Sequence, residues 1–258
     1  MSDSRTEPVF VLYGSQTGNS EQAAEDFSKQ IEDKFSPAYF KELGLEPVKV
    51  ETTCIQLDDF LDYKHAAFTK TMVIFVSSYG VGQAPMGAYK FRSLAEELIS
   101  VAEVGEAEAK TRLKGLTYAL CGLGDSGYST YLVNPTTIDK ALTAVGATRI
   151  GDMGKADAKQ IGENSQENVI AKWKDELWVP LAKSIAAAAD FTSEEAANKL
   201  KQMQADTIPI LMKIDPDYIP PKEFGGRSGA SIPTHLLIAA LIVAVIAALL
   251  VTGTIQAP

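Results

Sequence analysis

Short apolar runs alternate with longer stretches of helical periodicity between Glu7 and about residue 189. The runs are rich in β-branched and aromatic residues, and they predict strands over 9–13, 48–53, 71–78, 116–121 and 147–151. In two of them, MVIFV and LTYALC, successive positions are apolar, so both faces of these strands must be buried. This pattern is typical of a parallel sheet that is covered by helices on both sides. It therefore predicts the α/β class.

Four helices are predicted between and after these strands, over 19–35, 89–101, 134–145 and 165–188. The third begins with Asn134 and Pro135. Asn134 is predicted to accept a hydrogen bond as the N-cap, and Pro135 suits the first helical position because an N–H there has no partner within the helix. Five strands with intervening helices predict one doubly wound, five-stranded parallel sheet. We expect this domain to span 8–189, after a polar tail of residues 1–7.

The chain after this domain changes character twice. The sequence TSEE at 192–195 predicts a capping box that opens a short polar helix to about Gln204, within a helical extension of 190–213. Residues 214–233 are rich in Pro, Gly and Ser, and they predict a linker.

An uninterrupted apolar run over 236–251 follows the linker, and no Asp, Glu, Lys or Arg occurs after Arg227. With its flanking residues, the segment 234–255 is long enough to cross about 30 Å of hydrocarbon. A buried core helix is the alternative, but the sheet domain is complete without it, so we expect a single C-terminal transmembrane anchor and a cytosolic domain. The tail TGTIQAP has no basic residue, which favours the endoplasmic reticulum over the mitochondrial outer membrane.

Composition excludes some classes of function. The formal charge of −9 argues against nucleic-acid binding, which needs clustered Lys and Arg, and is better suited to a basic protein partner. Cys54 and Cys121 lie in strand-like runs, where each is expected to be a core residue rather than a disulfide partner. His65 and His235 are far apart and have no Cys or acidic cluster at ligand spacing, so no metal site is predicted.

Three of the predicted strands end in loops of small polar residues and glycines. The first, GSQTGNS at 14–20, offers hydroxyls, amides and helix-start N–H groups that suit a phosphate, and its lack of lysine excludes a Walker loop. The second, SSYGVGQAP at 77–85, and the third, GLGDSGY at 122–128, each carry a tyrosine. Tyr79 and Tyr128 could sandwich a flat conjugated ring, although ordinary packing is the alternative for each alone. The third loop also fits G-x-G-x-x-G, but no helix opens directly after it, which argues against a dinucleotide fingerprint.

The three loops in this order resemble the FMN-binding, flavodoxin-like domain of the diflavin reductases. Two further features share this resemblance: the pair Trp173 and Trp178, and the stretch CGLGDSGYSTYLVNPTTIDKALTAVGATRIGDMGKAD. That family includes NADPH-haemoprotein reductase, sulfite reductase flavoprotein and methionine synthase reductase. The resemblance covers about residues 8–183 and implies a flavodoxin-like fold that binds FMN.

The resemblance also implies which residues bind the cofactor. Those that would hold the phosphate are Ser15, Gln16, Thr17, Gly18, Asn19 and Ser20. The isoalloxazine would stack on Tyr79 and Tyr128, and the Gly80–Val81 peptide would turn to accept the proton of the reduced ring. The remaining residues expected around the ring are Ser78, Gly82, Gly122, Leu123, Gly124, Asp125 and Asp157.

The function implied by this resemblance is a one-electron shuttle. Diflavin reductases continue into an FAD and NADPH domain that is absent here, so we expect a separate FAD/NAD(P)H reductase as donor and a haemoprotein or other membrane redox protein as acceptor. A pocket with acidic neighbours and no cation would disfavour the reduced, anionic flavin and lower its potential. The residues Gln83-Ala-Pro85 replace an acid of the family pattern, and Leu132-Val133 replace more polar residues, which leaves the potential and the partner contacts open.

Two alternatives remain open from the sequence. The chain could be a flavodoxin-like NAD(P)H-quinone reductase, which would need a nicotinamide or quinone pocket beside the flavin. It could also be a degenerate, flavin-free scaffold at the membrane, against which the intact loops argue. Whether the chain acts as an enzyme in its own right stays undecided at this level.

Overall fold

The computed structural model describes residues 6–61, 71–105, 109–189 and 193–220. Within them, parallel strands form one sheet in the order β2-β1-β3-β4-β5, and β6 also pairs with β4. The strands are β1 (Thr6–Gly14), β2 (Lys49–Gln56), β3 (Thr71–Ser77), β4 (Thr117–Gly124), β5 (Thr148–Arg149) and β6 (Gly154–Asp157). This order is that of flavodoxin-like doubly wound sheets, in which the winding reverses between β1 and β3. The predicted α/β parallel sheet is confirmed.

Helices cover both faces of the sheet. They are α1 (Asn19–Lys34), α2 (Pro37–Glu42), α3 (Leu57–Phe60), α4 (Tyr89–Val104), α5 (Val133–Ala144), α6 (Gln166–Ala189) and α7 (Ser193–Ile214). The four predicted helices correspond to α1, α4, α5 and α6, and their ends differ by a few residues. The sequence did not indicate the short helices α2 and α3. All these elements belong to one compact unit, Met1–Ile219.

Two apolar layers hold the sheet, one on each face. Residues of β3 alternate between them: Met72, Ile74 and Val76 pack with α4 and α5, whereas Val73 and Phe75 pack with α1 and α6. Alternation of side chains along a strand explains why the MVIFV run has no polar position, since each face meets a helical layer. The strand ends that carry the loops are therefore packed between two apolar layers.

The outer edge of the sheet differs from the prediction. One strand was expected over 147–151, but this edge consists of β5 and β6, which pair in succession with β4. Four residues separate Arg149 from Gly154, whereas only two separate their partners Tyr118 and Cys121, so the outer strand bulges. Gly151 lies in this bulge with φ +67. Six strand segments thus replace the five predicted.

The start of α5 also corrects the sequence interpretation. The predicted N-cap Asn134 lies inside the helix, and the capping position is Leu132, with φ 59 and no side-chain cap. Asn134 is fully buried, and its amide nitrogen donates to the Ser77 carbonyl (2.9 Å). It therefore joins α5 to the end of β3 and does not cap its own helix.

The last helix is longer than predicted. It continues past Gln204 to Ile214 with Pro209 inside it, and it buries Ile210 and Leu211 in the core layer that contains α4. Lys213 pairs with Glu97 of α4 (2.6 Å). The helix end expected near Gln204 was wrong, whereas α7 ends within one residue of the expected helical extension of 190–213. The internal proline made the second half of the helix hard to predict, and tertiary packing stabilises it.

The predicted transmembrane segment 234–255 lies outside the described residues, as does the linker beyond residue 220. Over the ranges that the structure describes, no helix combines the length and the apolar character needed to cross a bilayer. Cys54 is half-buried and Cys121 is buried, and neither forms a disulfide. Burial raises the pKa of the Cys121 thiol to about 12, so this side chain is an inert core residue.

Candidate cofactor site

A cleft of about 450 Å³ opens at the carboxyl ends of β1, β3 and β4. This is the position at which doubly wound sheets bind ligands, where the strand order reverses. All three predicted loops contribute to it. The residues that line it are Gln16, Thr17, Asn19, Ser20, Ser77, Ser78, Tyr79, Gly80, Leu123, Gly124, Asp125, Tyr128, Thr130, Tyr131, Ala158 and Gln166.

Eleven of the predicted cofactor-binding residues line this cleft, and six do not. Those outside the lining are Ser15, Gly18, Val81, Gly82, Gly122 and Asp157. Ser15, Gly18 and Gly122 have evident structural roles. Ser15 Oγ accepts from the Gly18 N–H (3.0 Å), which closes the first loop. A Cβ at Gly122 would approach Pro135 Cβ to 2.8 Å, so this glycine allows α5 to pack against β4.

The first loop leaves the start of α1 open to an anion. The N-cap is Gly18, which adopts φ 92 and offers no side-chain cap to the helix. Within the described residues, the backbone N–H groups of Gln16, Thr17, Asn19 and Ser20 make no hydrogen bond. Such uncapped N–H groups at a helix start bind phosphate readily, because the helix dipole adds to their hydrogen bonds.

Ser20 provides a second indication that the first loop binds an anion. Its side chain is only 1% exposed, and its Oγ has no hydrogen-bond partner among the described residues. Buried hydroxyls are nearly always paired, so an unpaired one in a ligand cleft indicates a partner that the polypeptide does not supply. The first loop therefore fits the phosphate of FMN.

Tyr79 of the second loop and Tyr128 of the third loop line the cleft. Tyr79 is 48% exposed and Tyr128 is 64% exposed, so neither side chain is buried in the core. The second loop is a tight turn in which the Tyr79 and Gln83 backbones exchange hydrogen bonds of 3.0 and 2.8 Å. Large, exposed aromatic side chains beside a cleft can stack on a planar ring without rearrangement of the core.

A partly buried network of hydrogen bonds connects the second loop to α4 and α5. The Asn134 N–H donates to Ser78 Oγ (3.0 Å), and Arg92 Nη1 donates to Asn134 Oδ1 (3.1 Å) and to the Gly82 carbonyl (3.4 Å). No Lys or Arg is among the described residues that line the cleft, but the Arg92 guanidinium lies behind the second loop, which the sequence did not indicate. Glu96 pairs with this guanidinium at 2.8 Å and offsets its charge.

Asp157, which was expected near the flavin, holds backbone and side-chain donors. Its carboxylate accepts from the N–H groups of Ser126 (2.9 Å) and Lys159 (3.0 Å) and from Gln160 Nε2 (3.3 Å). Burial acts to raise the pKa of this carboxyl, but the hydrogen bonds outweigh burial and lower the pKa to about 2. Asp157 therefore stays ionised and fixes the third loop relative to β6.

Five cleft residues had not been predicted, namely Ser77, Thr130, Tyr131, Ala158 and Gln166. Gln166 starts α6, and its Oε1 accepts from Asn19 Nδ2 (3.1 Å), which lies 147 positions earlier in the chain. No local pattern predicts a contact at that separation. Thr130 and Tyr131 follow the third loop directly, and their nearness to Tyr128 was the one available signal.

Comparison with known proteins identifies the family. The flavodoxin family model matches residues 11–173. The chain is 32% identical to NADPH–cytochrome P450 reductase of Saccharomyces cerevisiae over 65% of its own length and 20% of that protein. It is 31% identical to methionine synthase reductase of Caenorhabditis elegans, over 76% of this chain and 25% of that protein.

Among solved structures, oxidised flavodoxin 1 from Bacillus cereus matches with a TM-score of 0.46 and 15% identity, over 68% of this chain and 97% of that one.

The chain spans about a quarter or less of the two reductases named above. The family model covers more than half of the chain and includes all three loops. The predicted FMN-binding, flavodoxin-like domain is thereby confirmed, and the chain belongs to the flavodoxin family.

Proposed function

We propose that the chain is a membrane-anchored FMN flavoprotein that carries single electrons from a separate NAD(P)H-dependent reductase to a haem or other redox acceptor. The observation that carries the proposal is the three-loop cleft. Among the described residues, the buried Ser20 hydroxyl at its phosphate end has no partner, and no Lys or Arg lines its wall. When bound, FMN would supply the redox chemistry. The first loop would hold its phosphate, and Tyr79 and Tyr128 would hold its ring.

The charges around the cleft support a low-potential carrier. Fully reduced flavin tends to be an anion. Within the described part of the chain, the wall contains Asp125 and no cationic side chain, so it gives this charge no compensation. Arg92, behind the second loop, is already paired with Glu96. These residues would therefore disfavour reduction of a bound FMN and lower its potential, which suits a protein that donates electrons.

The proposed partners and location rest on other features. The matched relatives are named as reductases of cytochrome P450 and of methionine synthase, and the match leaves out three quarters or more of each. NADPH oxidation by a separate protein is part of the proposal, and the reduction experiment below tests it. The apolar run over 236–251 supports a C-terminal anchor, and the absence of basic residues after it favours the endoplasmic reticulum over the mitochondrial outer membrane.

Electron transfer is tested with the purified full-length chain, first by its flavin spectrum and then under anaerobic conditions with NADPH. We expect the flavin to be reduced only after addition of an FAD-containing reductase fragment that lacks its own FMN domain. Cytochrome c added as a probe acceptor should then be reduced. A well-folded chain without flavin absorbance would instead favour the scaffold alternative.

The phosphate assignment is tested by Thr17→Asp, which places a carboxylate at the exposed tip of the first loop, with the neutral isostere Thr17→Asn as its control. Repulsion between the carboxylate and the phosphate should abolish FMN retention in the Asp variant, and the Asn variant should keep most of it. Retention of flavin by both variants would contradict a phosphate at this loop.

Membrane attachment is tested by flotation with phospholipid vesicles. The full-length chain should float with the vesicles, and a chain that ends at residue 220 should not. If the full-length chain does not float with the vesicles, the proposed membrane anchor is wrong.

A second candidate function is favoured by one observation. Beside the FMN cleft lies a larger one of about 980 Å³, and Tyr131 lines both. An NAD(P)H-quinone reductase would need such a second cavity next to the flavin. Steady NADPH oxidation with a quinone and no added reductase would establish this function and exclude the carrier.

A further inference from the structure

The first loop is attached to distant parts of the chain at both of its ends. At its start, the Ser15 N–H donates to the Met86 carbonyl (3.1 Å), and the Met86 N–H donates to Gln16 Oε1 (3.4 Å). At its other end, Asn19 Nδ2 donates to Gln166 Oε1 (3.1 Å). The bond to Gln166 thus holds the end of the loop that opens α1.

Gln166 connects this loop to the outer strand as well. It is the first residue of α6, and it lines the cleft. While its Oε1 accepts from Asn19, its Nε2 donates to the Ala156 carbonyl in β6 (3.2 Å). Asp157, the next residue of β6, accepts from the Ser126 N–H in the third loop (2.9 Å). One side chain therefore joins the loop that suits the phosphate to the strand that holds the third loop.

We propose that Gln166 is a positioning residue, which acts through Asn19 to hold the first loop in the arrangement that receives the phosphate of FMN. Asn19 is exposed, so burial contributes little to the position of its side chain. A loop that is already ordered loses less conformational entropy when its ligand binds, and the affinity is higher for that reason. The inference rests on the FMN site of the proposed function and is independent of the electron donor and acceptor.

The effect of Gln166 should depend on the phosphate group of the ligand. Riboflavin has the ring and the ribityl chain of FMN but no phosphate, so it gains nothing from an ordered phosphate loop. Loss of the Gln166 hydrogen bonds should therefore weaken the binding of FMN and leave the binding of riboflavin unchanged. A side chain that served the ring or the ribityl chain would instead affect both ligands.

The test compares Gln166→Met with Gln22→Met in the full-length chain. Methionine is unbranched like glutamine but has no amide, so Gln166→Met removes both hydrogen bonds of this side chain. Gln22 is the matched control, because it lies in the first turn of α1 and its Nε2 donates to Asp26 of the same helix (2.9 Å). The dissociation constants of FMN and of riboflavin are measured for each chain by quenching of flavin fluorescence.

A double-mutant cycle shows whether Gln166 acts through Asn19. In Asn19→Ala, the hydrogen bond between the two side chains is already absent. Adding Gln166→Met to Asn19→Ala should therefore not weaken FMN binding further.

We expect Gln166→Met to lower the affinity for FMN relative to riboflavin by about fivefold, the factor for one net hydrogen bond. Gln22→Met should keep the ratio of the wild-type chain. An unchanged ratio in Gln166→Met overturns the proposal, and so does an equal loss of affinity for both ligands. A further loss of comparable size when Gln166→Met is added to Asn19→Ala also overturns it. If the wild-type chain itself binds no FMN, the proposed function fails as well.

Discussion

The buried hydroxyl of Ser20 leads to a prediction with opposite signs for the free and the FMN-bound protein. In the structure, Ser20 Oγ is shielded from solvent and has no partner among the described residues. A buried, unsatisfied hydroxyl costs about 1–3 kcal/mol, so Ser20→Ala should stabilise the FMN-free chain by about that amount. The same substitution removes a hydrogen bond to a charged phosphate, worth about 1.5–3 kcal/mol, and should weaken FMN binding by roughly 10- to 100-fold.

Ser28→Ala is the matched control for this prediction. Ser28 lies on the same helix and is 8% exposed, but its hydroxyl donates to Thr52 Oγ1 (2.9 Å). Its removal should lower the free energy of unfolding by about 1 kcal/mol and leave the affinity for FMN unchanged. Ser20→Ala and Ser28→Ala should therefore shift stability in opposite directions.

Both quantities are accessible to simple assays. Urea unfolding of the FMN-free chain gives the free energy of unfolding, and quenching of flavin fluorescence gives the dissociation constant of FMN. If Ser20→Ala destabilises the FMN-free chain and leaves FMN binding intact, the hydroxyl serves the fold and the assignment of the phosphate to this loop is wrong.

Three further predictions concern the scaffold of the site. The pKa of Asp157 in the folded state is lowered to about 2, so the Asp157 carboxylate stabilises the fold above about pH 4, and this stabilisation is lost as the pH falls from about 4 to 2. In Asp157→Asn, the free energy of unfolding measured with urea should therefore not show this loss between about pH 4 and pH 2. Leu211 in α7 is 2% exposed, and Leu211→Ala should lower the free energy of unfolding by about 2–5 kcal/mol. The neighbouring Met212 is 51% exposed, and Met212→Ala should change the same quantity by less than about 0.5 kcal/mol. Gly14→Ala should destabilise the chain by about 1–3 kcal/mol in thermal unfolding, because the added Cβ would lie 2.6 Å from Ala88 Cβ. If the variant is as stable as the wild-type chain, β1 and the start of α4 can move apart to accept the added methyl group.

The amino-acid sequence by itself determined the class of fold and the position of the loops. Runs such as MVIFV are apolar on both faces, and this property requires a covered parallel strand wherever the strand lies in the sheet. The loops that follow these strands are then placed at one edge, because all parallel strands end there. Tyr79, Tyr128 and most of the phosphate loop were predicted in this way, from local pattern and family resemblance.

Only the tertiary structure decided which side chains complete the cleft and what holds its loops. Gln166 reaches Asn19, Thr130 reaches Gly80 and Arg92 reaches Gly82, across separations of 147, 50 and 10 residues. The second half of α7 and the bulged outer strand likewise depend on neighbours distant in the chain. Local preferences are set by adjacent residues, whereas these contacts depend on how helices pack across the sheet, which no short segment encodes.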